Sequence, residues 1–223
     1  MSGLISVFSC VLLCSVLLAQ DKSPLQPRPL SRQVRGQTIE SKELPVADLT
    51  FGTDFRYMGG QIVNLYGNAD AEQHLFVRRD GSGPVTGFYW VQFEHFLPTN
   101  TSTYDYHRDR TVSIGPLLFI YDVKSFSDYA ALETDDPASD GAAIRRLLAQ
   151  HDLTLPRRTV RVRMFHLPTA DRRSELMIIY GETLPDKSQI PATADGVSLD
   201  DTFHSFATTI LHHAQKGLSI RRP

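Results

Sequence analysis

Val85–Phe96 (VTGFYWVQFEHF) places large apolar side chains on both faces of the strand its pattern predicts. Val85, Tyr89, Val91 and Phe93 fall on one face, and Phe88, Trp90 and Phe96 on the other. A strand with two apolar faces belongs in the middle of a sheet covered on both sides, or in an interface. Any fold for this chain has to supply those two covers.

Candidate neighbours lie on either side. Residues 55–66 (FRYMGGQIVNLY) read as a strand with Gly59-Gly60 as a bulge or bend, and residues 73–79 as a second, short one. Asp80-Gly81-Ser82-Gly83-Pro84 is a turn signal before the central strand. Residues 111–121 predict a strand interrupted by Gly115-Pro116, with Pro116 favouring an edge or bulge. A short helix capped by Ser125 is expected over 125–132. A second is expected over 140–150, with Ala143, Ile144, Leu147 and Leu148 on one face. Residues 159–167 alternate Val160, Val162 and Met164 against Arg161, Arg163 and Phe165, and residues 175–180 (ELMIIY) follow as a buried antiparallel strand.

The clearest element is the last helix. Phe203, Phe206, Ala207, Ile210, Leu211 and Ala214 recur at helical spacing, Ser198 with Asp201 resembles a capping box, and Gly217 marks the stop. Residues 218–222 add a short terminal strand. The expectation is an α+β fold, a mostly antiparallel sheet of about five to seven strands with the C-terminal amphipathic helix packed on one face. A partly closed β-barrel with a flanking helix is the alternative.

Residues 4–19 are apolar and are followed by Gln20-Asp21-Lys22-Ser23-Pro24. This suits a secretory signal, whose core spans about 7–15 apolar residues, better than a membrane span of about 20; an uncleaved anchor is the alternative. Both cysteines, Cys10 and Cys14, lie inside this run. Cleavage after Ala19 or Gln20 leaves a chain without thiols, which excludes disulfides, thiol catalysis and zinc–thiolate sites from the remainder. Leu13 before Cys14 does not fit a lipoprotein signal, and Cys10 comes too early. Residues 1–20 are thus expected to be a signal peptide, 21–44 a Pro/Arg-rich flexible tether, and 45–223 a single globular domain, secreted or periplasmic. The net charge of −2 points to no nucleic-acid partner. The membrane enters only through the N-terminal segment if it is retained.

No Gly-x-Ser-x-Gly elbow and no phosphate-cradling glycine loop is present, so no cofactor is implied. Ionisable and aromatic groups are densest over 103–109. Asp105 and His107 there share one side of an extended segment, and a carboxylate can orient a histidine as a general base. Glu94 and His95 end the central strand and complete a candidate catalytic cluster of Glu94, His95, Asp105 and His107. Trp90, the single tryptophan, wants a partner for its indole N–H, with Gln92 and Glu94 available on its strand face. Trp90, Tyr104 and Tyr106, with Arg161 and Arg163 on one strand face, form the candidate ligand-binding set. Two function classes follow: a non-enzymatic exported domain that binds a protein or small ligand or serves an envelope or secretion assembly, and a hydrolase-like or metal-dependent enzyme built on the Glu/His/Asp cluster.

Overall fold

A computed structural model describes residues 28–106, 110–131, 136–199 and 203–223. In chain order the strands are β1 (Gln33–Arg35), β2 (Thr38–Ser41), β3 (Ala47–Phe51), β4 (Arg56–Leu65), β5 (Ala69–Arg79), β6 (Val85–Phe96), β7 (Thr111–Ile114), β8 (Leu117–Phe126), β9 (Thr159–His166), β10 (Ser174–Thr183), β11 (Val197–Ser198) and β12 (Leu218–Arg221). Helix α1 spans Asp140–Ala149 and α2 spans His204–Lys216. The residues expected to be a signal peptide lie outside the described residues.

The doubly apolar strand β6 sits inside an eight-stranded sheet of order β11-β8-β9-β10-β6-β5-β4, with β7 pairing to β8. The named strands all pair antiparallel, and neither sheet closes into a barrel. A second, four-stranded sheet of order β1-β2-β3-β12 supplies one of the two covers. Leu49, Phe51 and Ile220 of that sheet and Ala207, Ile210 and Ala214 of α2 join Phe76, Tyr89, Val91, Met164 and Ile178 in one core. On the opposite face Ile144, Leu147 and Leu148 of α1 pack with Leu75, Val77, Phe88, Trp90 and Ile179 in a second core. Each fully covered Leu, Ile or Phe is worth about 1.5–3 kcal/mol, so β6 is held from both sides. The fold is α+β as expected, but the sheets hold more strands than the sequence pattern separated.

Three local expectations differ from the structure. Residues 28–44 are not a tether: they contribute β1 and β2, and Arg32 is buried. The Arg32 guanidinium lies over the Phe93 ring at 3.9 Å and bonds Glu72 Oε2 at 3.1 Å, and with Ser41 Oγ and the Leu44 carbonyl these distant partners meet its cost of burial. No α-helix starts over 125–131, the described part of the expected first helix. Ser125 and Phe126 pair with Val160 and Thr159 of β9, and only Tyr129–Ala131 forms a single 3-10 turn. Residues 111–121 form a hairpin between β7 and β8. Gly115 turns at φ +56 there, and the Ile220 carbonyl lies where a Cβ would stand.

The capping box expected from Ser198 and Asp201 does not bear on the start of α2. Ser198 belongs to β11, Asp201 lies outside the described residues, and the N-cap is Phe203. No helix among the described residues is long and apolar enough to cross a membrane.

Gly181 of β10 lies opposite Phe88, whose ring occupies the space a side chain would fill. Gly181→Ala is therefore expected to lower stability by about 1–3 kcal/mol through overpacking, measured by urea unfolding. An unchanged midpoint would contradict this packing.

Candidate functional site

Strand register places three rows of side chains across the α1 face of the large sheet. The first runs Leu75, Trp90, Ile179, Arg163 and Asp122; the second Gln61, Gln73, Gln92, Met177 and Phe165; the third Ala71, Glu94 and Glu175. α1 covers one end of this face. A groove of about 390 Å³ remains, lined by Gln92, Glu94, Tyr104, Tyr106, Asp140 and Arg163 among others, and floored by Met177 and Phe165.

The segment after β6 forms the far wall. Tyr104 N donates to Arg172 O at 2.8 Å, and Arg173 donates through Nη1 to Ser102 O and through Nη2 to Leu97 O. The extended backbone sends Tyr104 and Tyr106 inward and Asp105 outward. Four rings then stack in order. Phe96 to Tyr104 is 4.4 Å, Tyr104 to Tyr106 6.3 Å and Tyr106 to Phe165 4.0 Å, with Arg163 over Phe165 at 4.8 Å and Arg173 over Phe96 at 6.0 Å.

At the centre of the groove two carboxyl groups face each other across the β6–β10 ladder, Glu94 opposite Glu175. Tyr104 Oη donates to Glu94 Oε1 at 2.7 Å, and Tyr106 Oη donates to Glu175 Oε2. Gln92 Nε2 donates to Glu94 Oε2 at 2.7 Å, Gln73 Nε2 to Gln92 Oε1 at 2.8 Å, and Gln61 Nε2 to both Gln73 Oε1 and the Ala143 carbonyl of α1. This relay ties the carboxyl pair to the helix that borders the groove.

Burial shifts these groups. Glu175 is 4% exposed, and its pKa is pushed up to about 8, first by desolvation and then by the neighbouring Glu94 charge; the Tyr106 hydrogen bond and Arg163 oppose the rise. Desolvation also raises Glu94 above its ordinary value, against the pull of Tyr104 and Gln92, and Asp140 adds to the rise. Both tyrosine hydroxyls are raised by burial and by the carboxylates they face, so they remain donors. Near neutral pH the pair therefore carries a proton on Glu175, the arrangement expected when two carboxyls share a buried site.

Beside the pair lies a charged layer. Asp122 is fully buried and accepts from Arg161 Nη2 at 3.2 Å and from Arg163 Nε and Nη2 at 3.3 and 3.0 Å. Arg161 also lies over the Phe126 ring at 4.9 Å.

The residues singled out from sequence divide clearly. Glu94, Tyr104, Tyr106 and Arg163 meet in the groove, and Trp90, Arg161 and Arg163 line the small cavity that adjoins it. His95 does not join Glu94. As its strand neighbour it faces the other side of the sheet, beside Asp70 and Ser174. Asp105 is half exposed and pairs with Arg172 at 2.8 Å, and His107 lies outside the described residues. Trp90 takes neither Gln92 nor Glu94 as partner, because Gln92 is spent on Glu94.

Glu175, Asp122, Gln73 and Gln61 are site residues that the sequence reading missed. The signal for Glu175 was a lone acid at the head of an otherwise apolar strand, which acquires meaning only when paired with Glu94. Among the described residues no group of three or more His, Cys, Asp or Glu is placed to hold a metal ion.

Comparison of the chain with family models, with characterised proteins and with solved structures finds no match.

Proposed function

We propose that this chain is an exported, non-enzymatic binding domain whose groove takes a small hydroxylated molecule. One observation carries the reading: two facing carboxyls, each receiving a tyrosine hydroxyl, stand in a 390 Å³ groove walled by stacked rings. A protonated Glu175 donates and Glu94 accepts, which matches a ligand rich in hydroxyls. Aromatic rings and guanidinium planes supply apolar faces for the carbon skeleton. The export reading rests on the apolar run of residues 4–19 and the polar segment after it.

Trp90 is the single tryptophan and lines the adjoining cavity, so its emission reports on ligand entry. In a ligand-observed NMR screen of small polyols and sugars, hits are expected to shift Trp90 emission and to weaken as pH rises through about 8, where Glu175 loses its donor proton. Tyr106→Phe is expected to weaken a hit about five- to tenfold, because the Glu175 carboxyl loses the neutral hydrogen bond, worth about 1 kcal/mol, that positions it. Hits indifferent to both pH and Tyr106 would place the ligand elsewhere.

A hydrolase reading draws on one feature, the Glu94–Glu175 opposition, since glycoside hydrolysis uses two carboxyls of unlike pKa, one protonated and one ionised. Binding is preferred because both oxygens of Glu94, the carboxylate a hydrolase would use as nucleophile or base, already accept from Tyr104 and Gln92, which lowers their basicity and still leaves lone pairs for a ligand hydroxyl. Release of nitrophenolate from nitrophenyl glycosides, abolished by Glu94→Gln, would reverse that preference.

A further inference from the structure

We propose that the ligand of this groove is a carboxylic acid, and that the cavity lined by Trp90, Arg161 and Arg163 receives its carboxylate. The inference rests on the binding reading above and names the charge of the ligand. Trp90 and Arg161 are each 5% exposed, and both line this cavity. Trp90 Nε1 and Arg161 Nε donate to no atom of the described residues. Two buried N–H groups without acceptors are costly, and a guest that only accepts relieves both.

Charge favours an anionic guest. Arg161 and Arg163 share Asp122 between them, which leaves this layer one positive charge in excess. Arg145, Asp140 and the Glu94–Glu175 pair also face this region, with the ionised Glu94 in the larger groove, where the ligand's hydroxyls and not its carboxylate would sit. Arg145 is held near the Ala130 carbonyl. Asp140 stands in the first turn of α1, where its Oδ1 accepts from Gly141 N at 2.8 Å and its charge is met by the helix N-terminus. Glu175 carries its proton near neutral pH.

Size narrows the head group. The cavity offers about 30 Å³, where one water needs roughly 10–15 Å³. That suits the three heavy atoms of a carboxylate and is too small for a phosphate. Asp140, Arg163 and Met177 line both this cavity and the larger groove, so one molecule can occupy the two. From Trp90 to Glu94 is four residues along β6, about 13 Å of strand. Less the inward reach of the side chains, this fits an acid of about six carbons with hydroxyls at its far end.

Matched pairs test this with the full chain: D-glucuronate against D-glucose, and L-lactate against propane-1,2-diol, by isothermal titration calorimetry. In each pair that binds, the acid is expected to bind at least tenfold more tightly than its neutral partner. Trp90→Phe, which keeps a ring and removes the N–H, is expected to cut that ratio several-fold, and Arg161→Gln to cut it at least as much. Equal binding within the pairs overturns the acid assignment and leaves the binding reading standing. An acid preference untouched by both variants overturns the placement of the carboxylate. Absence of binding by all four probes, in protein with a native amide spectrum, counts against the binding reading and removes this inference with it.

Discussion

Glu175→Gln is expected to make the protein more stable at pH 8 by about 4 kcal/mol while changing little at pH 4. Glu175 has its folded pKa raised from an ordinary 4.5 to about 8. Below 4.5 the carboxyl is protonated in both states and contributes no pH dependence. Between 4.5 and 8 the unfolded chain ionises and the folded chain does not, so stability falls with rising pH at about 1.4 kcal/mol per unit. Above about 8 both states are ionised and the loss levels off. A glutamine avoids this loss and still accepts from Tyr106. Urea unfolding of wild type and variant at pH 4 and pH 8 reads the difference directly. A gain that does not depend on pH would dissociate the shift from Glu175. Stabilisation by removing a site carboxyl is the pattern expected where a binding group is held at the expense of the fold.

Glu72→Gln is expected to do the opposite, lowering stability by about 3 kcal/mol near neutral pH, because it takes the buried carboxylate from Arg32 and leaves the exposed Glu43, 3.9 Å away, as its remaining ion-pair partner. Glu72 and Arg32 have side chains 4% and 8% exposed and bond at 3.1 Å. Glu72 also accepts from the backbone amides of Ser31 and Arg32, each at 3.0 Å, and meets His74 Nε2 at 3.0 Å. Tyr57 Oη stands 3.1 Å from the other nitrogen of that ring. Burial would raise this carboxyl. The His74 bond, the Arg32 amide and charge, and the Ser31 amide together outweigh it and hold it at about 2.

The folded pKa here is depressed, so the contribution is complete above about 4.5 and is lost as pH falls towards 2. Arg32→Met is expected to cost less, about 1–3 kcal/mol, because Glu72 keeps its amides and His74. Equal costs for the two variants in urea unfolding would contradict this apportionment. Because the cluster anchors β1 and β2 to β5, limited proteolysis of Glu72→Gln should open residues 33–41 first.

Local pattern carried the central architecture. The two apolar faces of β6, the alternation over 159–167 and the apolar stripe of α2 each describe burial that the residue's own neighbours determine. Where burial depends on a distant partner, the pattern misleads. Residues 21–44 read as a tether because Pro24, Pro27 and Pro29 stand beside Arg28, Arg32 and Arg35, yet Arg32 finds Glu72 and Phe93 far along the chain. Ser125 resembles a helix cap, but β9 and β11 offer its backbone a ladder on both sides.

The site shows the same division. Tyr104, Tyr106, Arg161, Arg163 and Trp90 stood out by type and spacing, and all of them line the groove or its adjoining cavity. The acid/base grouping paired Glu94 with its chain neighbour His95, whereas strand geometry turns neighbours to opposite faces and pairs Glu94 with Glu175, across a register no single strand reveals.

The carboxyl pair is the claim on which groove chemistry, pH dependence and stability all depend. Side-chain carboxyl carbons of glutamate, labelled with carbon-13 and assigned through Glu94→Gln and Glu175→Gln, can be followed by NMR from pH 3 to pH 10. Glu175 is expected to titrate with a midpoint near 8 in the wild type and lower in Glu94→Gln, where the neighbouring charge is gone. Two glutamates titrating independently near 4.5 would mean that Glu94 and Glu175 share no proton, and the account of the groove would fail.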